Sequence, residues 1–442
     1  MNLKRILMIP ILILFLFNPA ISADNDWWIK YGDDILVSHI EKIYRQNPDL
    51  KIAAIKTKQM QEVIKMSFAN ELPQVNFNPS IGRELRSSDI YFGNLLIPEY
   101  SQTRYLFPLA MSYEADIWGK NHLQTKSFRQ LSDITIQDEK IARILISGSF
   151  TANYFNLIKT DELIKNQMQL VNIQTKIANM QKIKFNKGLC GRADVINEEE
   201  ILINFTEQLN NLKIEQETIK NQLITMLGEK NTNDIERSNI DTLRILNVPE
   251  QITSDAITRR PDFIKSELYV KKTGLDVKVA RRELLPSFTI YGNLGFNAYN
   301  LDRIFAHNTF MSAIGVLPSW DVFTGGRKMA NLRYKKLECK KAMEMYDKTI
   351  LTSLQELNDS LCKVKNTHKN YNECITRCNL ETEKFALAQS KQQIGAASNM
   401  DILKEERNLY LKQNEVISEK INYLVMTVEL YKALGGEDLS LL

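Results

Sequence analysis

Gln393-Ile-Gly-Ala-Ala-Ser-Asn-Met-Asp-Ile-Leu403 holds the only glycine between Arg327 and Leu434, a stretch that also lacks proline. Helix interiors disfavour both residues, glycine for its backbone entropy and proline for its missing N–H and ring clash. The stretch therefore reads as two very long helices hinged at Gly395. The earlier half of the chain behaves the same way. From Leu109 to Asn247 there is no proline, and after Gly119 the glycines are Gly148, Gly188, Gly191 and Gly228. Its tip is Phe185-Asn-Lys-Gly-Leu-Cys-Gly-Arg-Ala-Asp-Val195. Each half is expected to be a long helical hairpin with glycine at its tip.

The outgoing arm of the first hairpin, residues 119–186, would be roughly 100 Å long at about 1.5 Å per residue. That is too long for a compact globular domain. On its return arm Leu202, Phe205, Leu209, Leu212, Ile219, Leu223 and Met226 follow alternate three- and four-residue steps, with one miss at Gln216. That is a heptad seam. The second return arm carries Leu403, Tyr410, Ile417, Ile421, Leu424, Val428 and Tyr431 in the same manner.

Ahead of each hairpin the period changes from helical to two. Val75, Phe77, Pro79 and Ile81 alternate with Asn76, Asn78, Ser80 and Gly82, with the proline marking an edge or an end. After a polar loop with Ser87, Ser88 and Asp89, a second run sets Leu109, Met111, Tyr113, Ala115 and Ile117 against Ala110, Ser112, Glu114 and Asp116. In the second half Phe288, Ile290, Leu294 and Phe296 alternate with Ser287, Thr289, Asn293 and Asn297, and another strand is expected over residues 310–323. Periodicity leaves two readings open: half-buried strands of a soluble sheet, or strands of a membrane barrel.

The halves align by landmarks: Pro48 with Pro261, Pro73 with Pro286, Asp116 with Asp321, Asp194 with Asp401. We read a tandem duplication, with residues 24–228 as the first unit, 229–258 as a linker and 259–442 as the second. Residues 1–23 read as a secretory signal peptide. Lys4 and Arg5 precede an apolar run from Ile6 to Phe17 that is too short for a bilayer span of roughly 20 residues, and Ile21-Ser-Ala23 offers a cleavage point. No later segment is apolar enough for a transmembrane helix, so any membrane entry must use strands of a closed barrel.

The net charge of +4 in 442 residues gives no argument for nucleic acid. The five cysteines (Cys190, Cys339, Cys362, Cys374, Cys378) are an odd number without a framework, and Cys374 and Cys378 read as packing residues. The four histidines have no ligand spacing, and the scattered methionines read as core filling. There is no nucleotide loop and no nucleophile–base signature. No cofactor, metal or enzymatic activity is expected.

Four strands cannot close a barrel, since single-chain membrane barrels start at about eight, whereas three copies would supply about twelve. Here the residues match a family. Ser112-Tyr-Glu-Ala-Asp-Ile-Trp-Gly119, Arg259-Arg-Pro-Asp262, Leu284-Leu-Pro-Ser-Phe-Thr289, Trp320-Asp-Val-Phe-Thr-Gly-Gly-Arg327 and Leu430-Tyr-Lys-Ala-Leu-Gly-Gly436 stand in order along the mature chain. In these the chain resembles the TolC-type outer-membrane efflux channels, the outer component of tripartite drug and metal exporters (the NodT-like branch).

The resemblance implies a fold that mixes long α-helices with a membrane β-barrel. A homotrimer would put four strands per chain into the barrel and the hairpins into a periplasmic tunnel. It implies a passive conduit gated at its periplasmic end, with a periplasmic adaptor, an inner-membrane pump and outer-membrane lipid as partners. Many members of that branch carry a lipidated cysteine after the signal. This chain has Ala23-Asp24.

By position, Asp401 resembles the family's acidic ring at the closed aperture, where three carboxylates would attract cations and raise one another's pKa values. Lys404 stands where the family often has a second acid, and Asp194 resembles the partner that ties the aperture shut. Both aspartates also read as caps of the return helices. Gly188, Leu189, Gly395 and Ala396 fall at the tips that in the family meet the adaptor, although Lys187 replaces the usual valine. The alternatives are the outer component of a type I protein secretion system and, from another class, a periplasmic coiled-coil adaptor or structural protein.

Overall fold

The structure is a computed structural model; it describes residues 27–86, 91–92, 95–96, 100–230, 234–249 and 254–436. The expected signal peptide and the Ser87–Asp89 loop lie outside these residues.

The first hairpin is α3 (Lys120–Asn186) and α4 (Arg192–Leu227), and the second is α6 (Arg327–Gln393) and α7 (Asn399–Ala433). Both outgoing arms are 67 residues long, about 100 Å. The return arms are only about half as long, and a shorter helix completes each row: α2 (Pro48–Ala69) in the first unit and α5 (Pro261–Arg282) in the second. Proline opens both α2 and α5, where its missing N–H costs nothing.

The long helices pack as one layer. α4 and α2 flank α3 on one side, α7 and α5 flank it on the other, and α6 lies beyond α7 and α5. Ser67 Oγ meets Thr125 Oγ1 at 3.1 Å between α2 and α3, and Ser127 Oγ donates to Asp276 Oδ1 at 2.6 Å between α3 and α5. α7, covered on both sides, buries its C-terminal face, whereas α4 has a long helix, α3, on one side only and leaves Ile203 and Ile214 exposed. The gap in the α4 seam has a partner: Gln216 Nε2 donates to Asp161 Oδ1 of α3 at 2.5 Å.

The main core sits at mid-height. There α1 (Asp34–Gln46), a 3-10 turn at Trp27–Tyr31 and the linker meet α3, α4 and α7. Phe150, Tyr154 and Phe155 of α3 and Ile421, Leu424 and Tyr431 of α7 are buried together, with Trp27 stacked on Tyr431 at 4.7 Å. Asp33 caps α1 through the amides of Ile35 and Leu36, and it also accepts from Tyr154 at 2.8 Å and Ser238 at 2.7 Å. Arg260, 6% exposed, donates to Ala433 O, Asp262 and Glu356 and so ties the start of α5 to α6 and the end of α7.

Five of the described strands form one antiparallel sheet. β1 (Gln74–Phe77) and β2 (Ser80–Arg86) both pair with β5 (Tyr100–Ala115), β5 pairs with β6 (Ser287–Ala298), and β6 with β7 (Phe310–Ser319). A two-residue pair, β3 (Tyr91–Phe92) with β4 (Leu95–Leu96), lies between β2 and β5. The second strand therefore starts at Tyr100, well before the expected Leu109, and the fourth ends at Ser319, short of Phe323.

Pro108 is the reason for the first difference. A proline rarely survives in a strand paired on both sides. Here the β1–β2 edge is itself broken at Asn78-Pro79, opposite Pro108, while on the other side Pro108 faces Gly295. A Cβ on Gly295 would lie 2.3 Å from Phe107 O, so only glycine fits at that crossing.

Candidate functional site

The two tips are built alike. Each outgoing helix ends in a left-handed glycine, Gly188 (φ 73°) or Gly395 (φ 75°). The amide of the following residue bonds back five residues, Leu189 N to Lys184 O at 2.9 Å and Ala396 N to Lys391 O at 2.8 Å. This is a Schellman closure, and it leaves the side chains of Leu189 and Ile394 standing in solvent. Val195 and Met400, at the start of each return helix, are buried beneath the turns.

Both predicted gate aspartates sit at the third position of a return helix, exposed at the surface. Asp194 Oδ2 accepts from Gly191 N at 3.0 Å. Asp401 Oδ2 accepts from Ser398 N at 2.9 Å and Ser398 Oγ at 2.7 Å. Each therefore caps its helix. The Ser398 hydroxyl and amide, with smaller help from Lys184 and Lys404, hold the Asp401 carboxyl below its ordinary value. Within one chain this is opposite to the direction that crowding by two further copies would give.

Sequence reasoning missed a cluster roughly one to three turns behind the tips. Gln174 of α3 donates to Glu198 Oε2 of α4 at 2.7 Å and accepts from Arg407 of α7 at 2.9 Å. Lys404 and Arg407 lie 3.4 and 3.7 Å from the Glu198 carboxylate. The cluster joins the first hairpin to the second. Lys404 is one of its cations. The acidic run Glu198-Glu199-Glu200 was the available signal, but sequence spacing cannot place it beside Lys404, over 200 residues away.

At the other end of the helices the sheet has two unlike faces. Register puts Phe77, Phe107, Leu109, Met111, Ile290, Leu294, Phe296, Ile314 and Val316 on one side. Many of these are exposed, Ile314 at 81%. The opposite face carries Asn76, Ser112, Glu114, Thr289, Asn293 and Asn297, with Arg104 bonded to Asn297 at 3.0 Å and to Glu84 at 3.2 Å. From Tyr105 to Ala115 the apolar face rises ten residues. At about 3.4 Å per residue and a tilt of about 45°, that is roughly 24 Å, the height of a barrel's lipid band. Trp118 and Trp320, at the helix end of the sheet, donate to the carbonyls of Pro286 and Leu284.

Among the described residues no helix is long and apolar enough to cross a membrane, and no cluster of His, Cys, Asp and Glu could hold a metal ion. All five cysteines are unpaired thiols.

Comparison with known proteins agrees with this geometry. The family model "outer membrane efflux protein" matches residues 39–229 and 252–436. The toluene efflux pump outer membrane protein TtgC of Pseudomonas putida is 23% identical over 419 residues, covering 94% of this chain and 86% of that protein. The pyoverdine export outer membrane protein OpmQ of Pseudomonas aeruginosa is 22% identical over 418 residues, covering 94% and 88%. Among solved structures, the Campylobacter jejuni CmeC outer membrane channel superposes with a TM-score of 0.85 at 24% identity, covering 94% of this chain and 89% of that one. VceC of Vibrio cholerae gives 0.81 at 20%, covering 93% and 98%. These likenesses establish the fold, long helices joined to barrel strands, and set aside a periplasmic coiled-coil protein. The chain belongs to the outer membrane efflux protein family.

Proposed function

We propose that the chain is the outer-membrane conduit of a tripartite efflux system, working as a homotrimer with a periplasmic adaptor and an inner-membrane pump. One observation carries this reading. A sheet with an exposed apolar face of membrane height has a free edge at β7 and another at β1–β2, and it stands on helices about 100 Å long. In lipid, unpaired strand edges are prohibitive, so the sheet needs further copies to close. Three copies of the four strand positions give about twelve strands, within the range of membrane barrels.

In this reading the repeat units are residues 24–228 and 259–442, and residues 229–258 link them. Asp401 and Asp194 lie at the periplasmic aperture, and Gly188, Leu189, Gly395 and Ala396 form the adaptor-facing tips. The Gln174–Glu198–Lys404–Arg407 cluster holds the two hairpins together behind that aperture.

Planar-bilayer conductance of the detergent-extracted protein, alone and as Asp401→Asn, tests the reading. Asparagine keeps an oxygen for the Ser398 cap and removes only the charge. The expected result is small cation-selective openings whose selectivity falls in the variant. A water-soluble monomer without conductance would exclude the channel.

A further inference from the structure

The loop joining β6 to β7, residues 299–309, turns toward the apolar side of the sheet. Two short 3-10 turns, Leu301–Arg303 and His307–Thr309, fold it. Ile304 is buried within it, and Thr309 Oγ1 lies 2.7 Å from Ala306 O and 2.9 Å from Ile304 O. This compact frame holds Phe305 against two strand residues, with its ring 5.3 Å from Phe296 and 6.4 Å from Phe107. Both belong to the apolar face by register, as do Phe310, 5.7 Å from Phe296, and Phe77, 6.5 Å from Phe107. The loop leans away from the face that carries Arg104 and Asn297.

Phe305 nevertheless remains 73% exposed, and Leu301 and Tyr299 beside it are also exposed. A held loop that presents a phenylalanine and a leucine outward, continuous with an apolar sheet face, suits hydrocarbon. It lies at the end of the sheet opposite the helices, where barrels carry an aromatic girdle.

We propose that the 299–309 loop is a lipid-contacting element. Phe305 and Leu301 lie against acyl chains just beneath the headgroups of the outer leaflet, extending the barrel's lipid face past the ends of β6 and β7.

The inference rests on the membrane reading above, and one experiment separates the two. A benzophenone-bearing amino acid replaces Phe305, Ile314 (the mid-sheet apolar face) or Asn293 (the polar face). The full-length proteins are reconstituted in phospholipid vesicles, irradiated and analysed by mass spectrometry. Lipid adducts at position 305 with a yield comparable to position 314, against background at 293, are expected. Lipid adducts at 314 but not at 305, or a protein–protein crosslink at 305, would overturn the loop's role and leave the barrel standing. Absence of lipid adducts at both 305 and 314 would overturn the loop and the membrane reading together.

Discussion

Gly295 in the sheet and Asp262 at the start of α5 show what single residues decide in this molecule. A methyl group on Gly295 would meet the backbone of Phe107 and Pro108 on the neighbouring strand, and no side-chain rotation can relieve that contact. Gly295→Ala should therefore cost about 3 kcal/mol, the upper range for overpacking, and lower the thermal unfolding midpoint of the detergent-solubilised protein. An unchanged midpoint would mean that β5 and β6 are not this close. Asp262 answers to pH. Burial acts to raise its pKa, and the bonded Arg260 guanidinium more than offsets this, leaving the carboxyl below its ordinary value. A depressed carboxyl stabilises the fold fully above the unfolded pKa of about 4, and that stability is lost as pH falls from there through the folded value. Asp262→Asn should flatten this acid limb in unfolding midpoints measured from pH 6 to pH 3. A limb of undiminished slope would place the loss on other carboxylates.

At the scale of elements, the helices were legible because their signal is an absence. A hundred residues without proline and with one glycine leave few alternatives to helix, and α6 and α7 run to within a few residues of that expectation. The sheet was half legible. Alternation identified β6 and the Leu109–Ala115 end of β5, but Pro108 masked residues 100–108, since what permits it lies in Asn78, Pro79 and Gly295 on other strands. Site residues divided the same way. Asp194 and Asp401 could be placed at the tips from the glycine turns, while Glu198 with its partners depends on the packing of α4 and α7 across α3. That cluster should govern how readily the hairpins part. Glu198→Gln removes two ion pairs and the charge on the acceptor of the Gln174 bond while preserving shape, and a hydrogen bond to a charged group is worth about 1.5–3 kcal/mol. If most of that resists opening, the open fraction should rise by about tenfold or more, since about 1.4 kcal/mol is a factor of ten. Single-channel recordings, with the exposed Glu200→Gln as control, would read this directly. Equal open probabilities in both variants would remove the cluster from the gate.

At the scale of the whole molecule, one chain leaves the same kind of boundary unfinished twice, at the sheet edges and along the helices. α3 is flanked on both sides, whereas among the described residues α2 and α4 on one border and α6 on the other have no long helix beyond them in the layer. Apolar side chains crowd those borders: Ile52, Ile55 and Met66 on α2, Ile203 and Ile214 on α4, and Leu337, Leu351 and Leu380 on α6 are all exposed. A layer whose two borders are both apolar and unlike each other associates head to tail, so copies can close into a ring. Burying one isoleucine contributes roughly 1.5–3 kcal/mol, and in a trimer each position counts at three seams. Ile203→Glu with Ile214→Glu should then loosen the helical tunnel by far more than two surface changes on a finished protein, where each is usually within about 0.5 kcal/mol. Sedimentation in detergent should show the unsubstituted protein as a trimer and the double variant shifted toward monomer. A control with Lys213→Glu on α4, whose residue is already polar and exposed, should remain trimeric. A double variant that kept its trimer mass would place the contact elsewhere than on the α4 border, leaving the strand edges to hold the copies together.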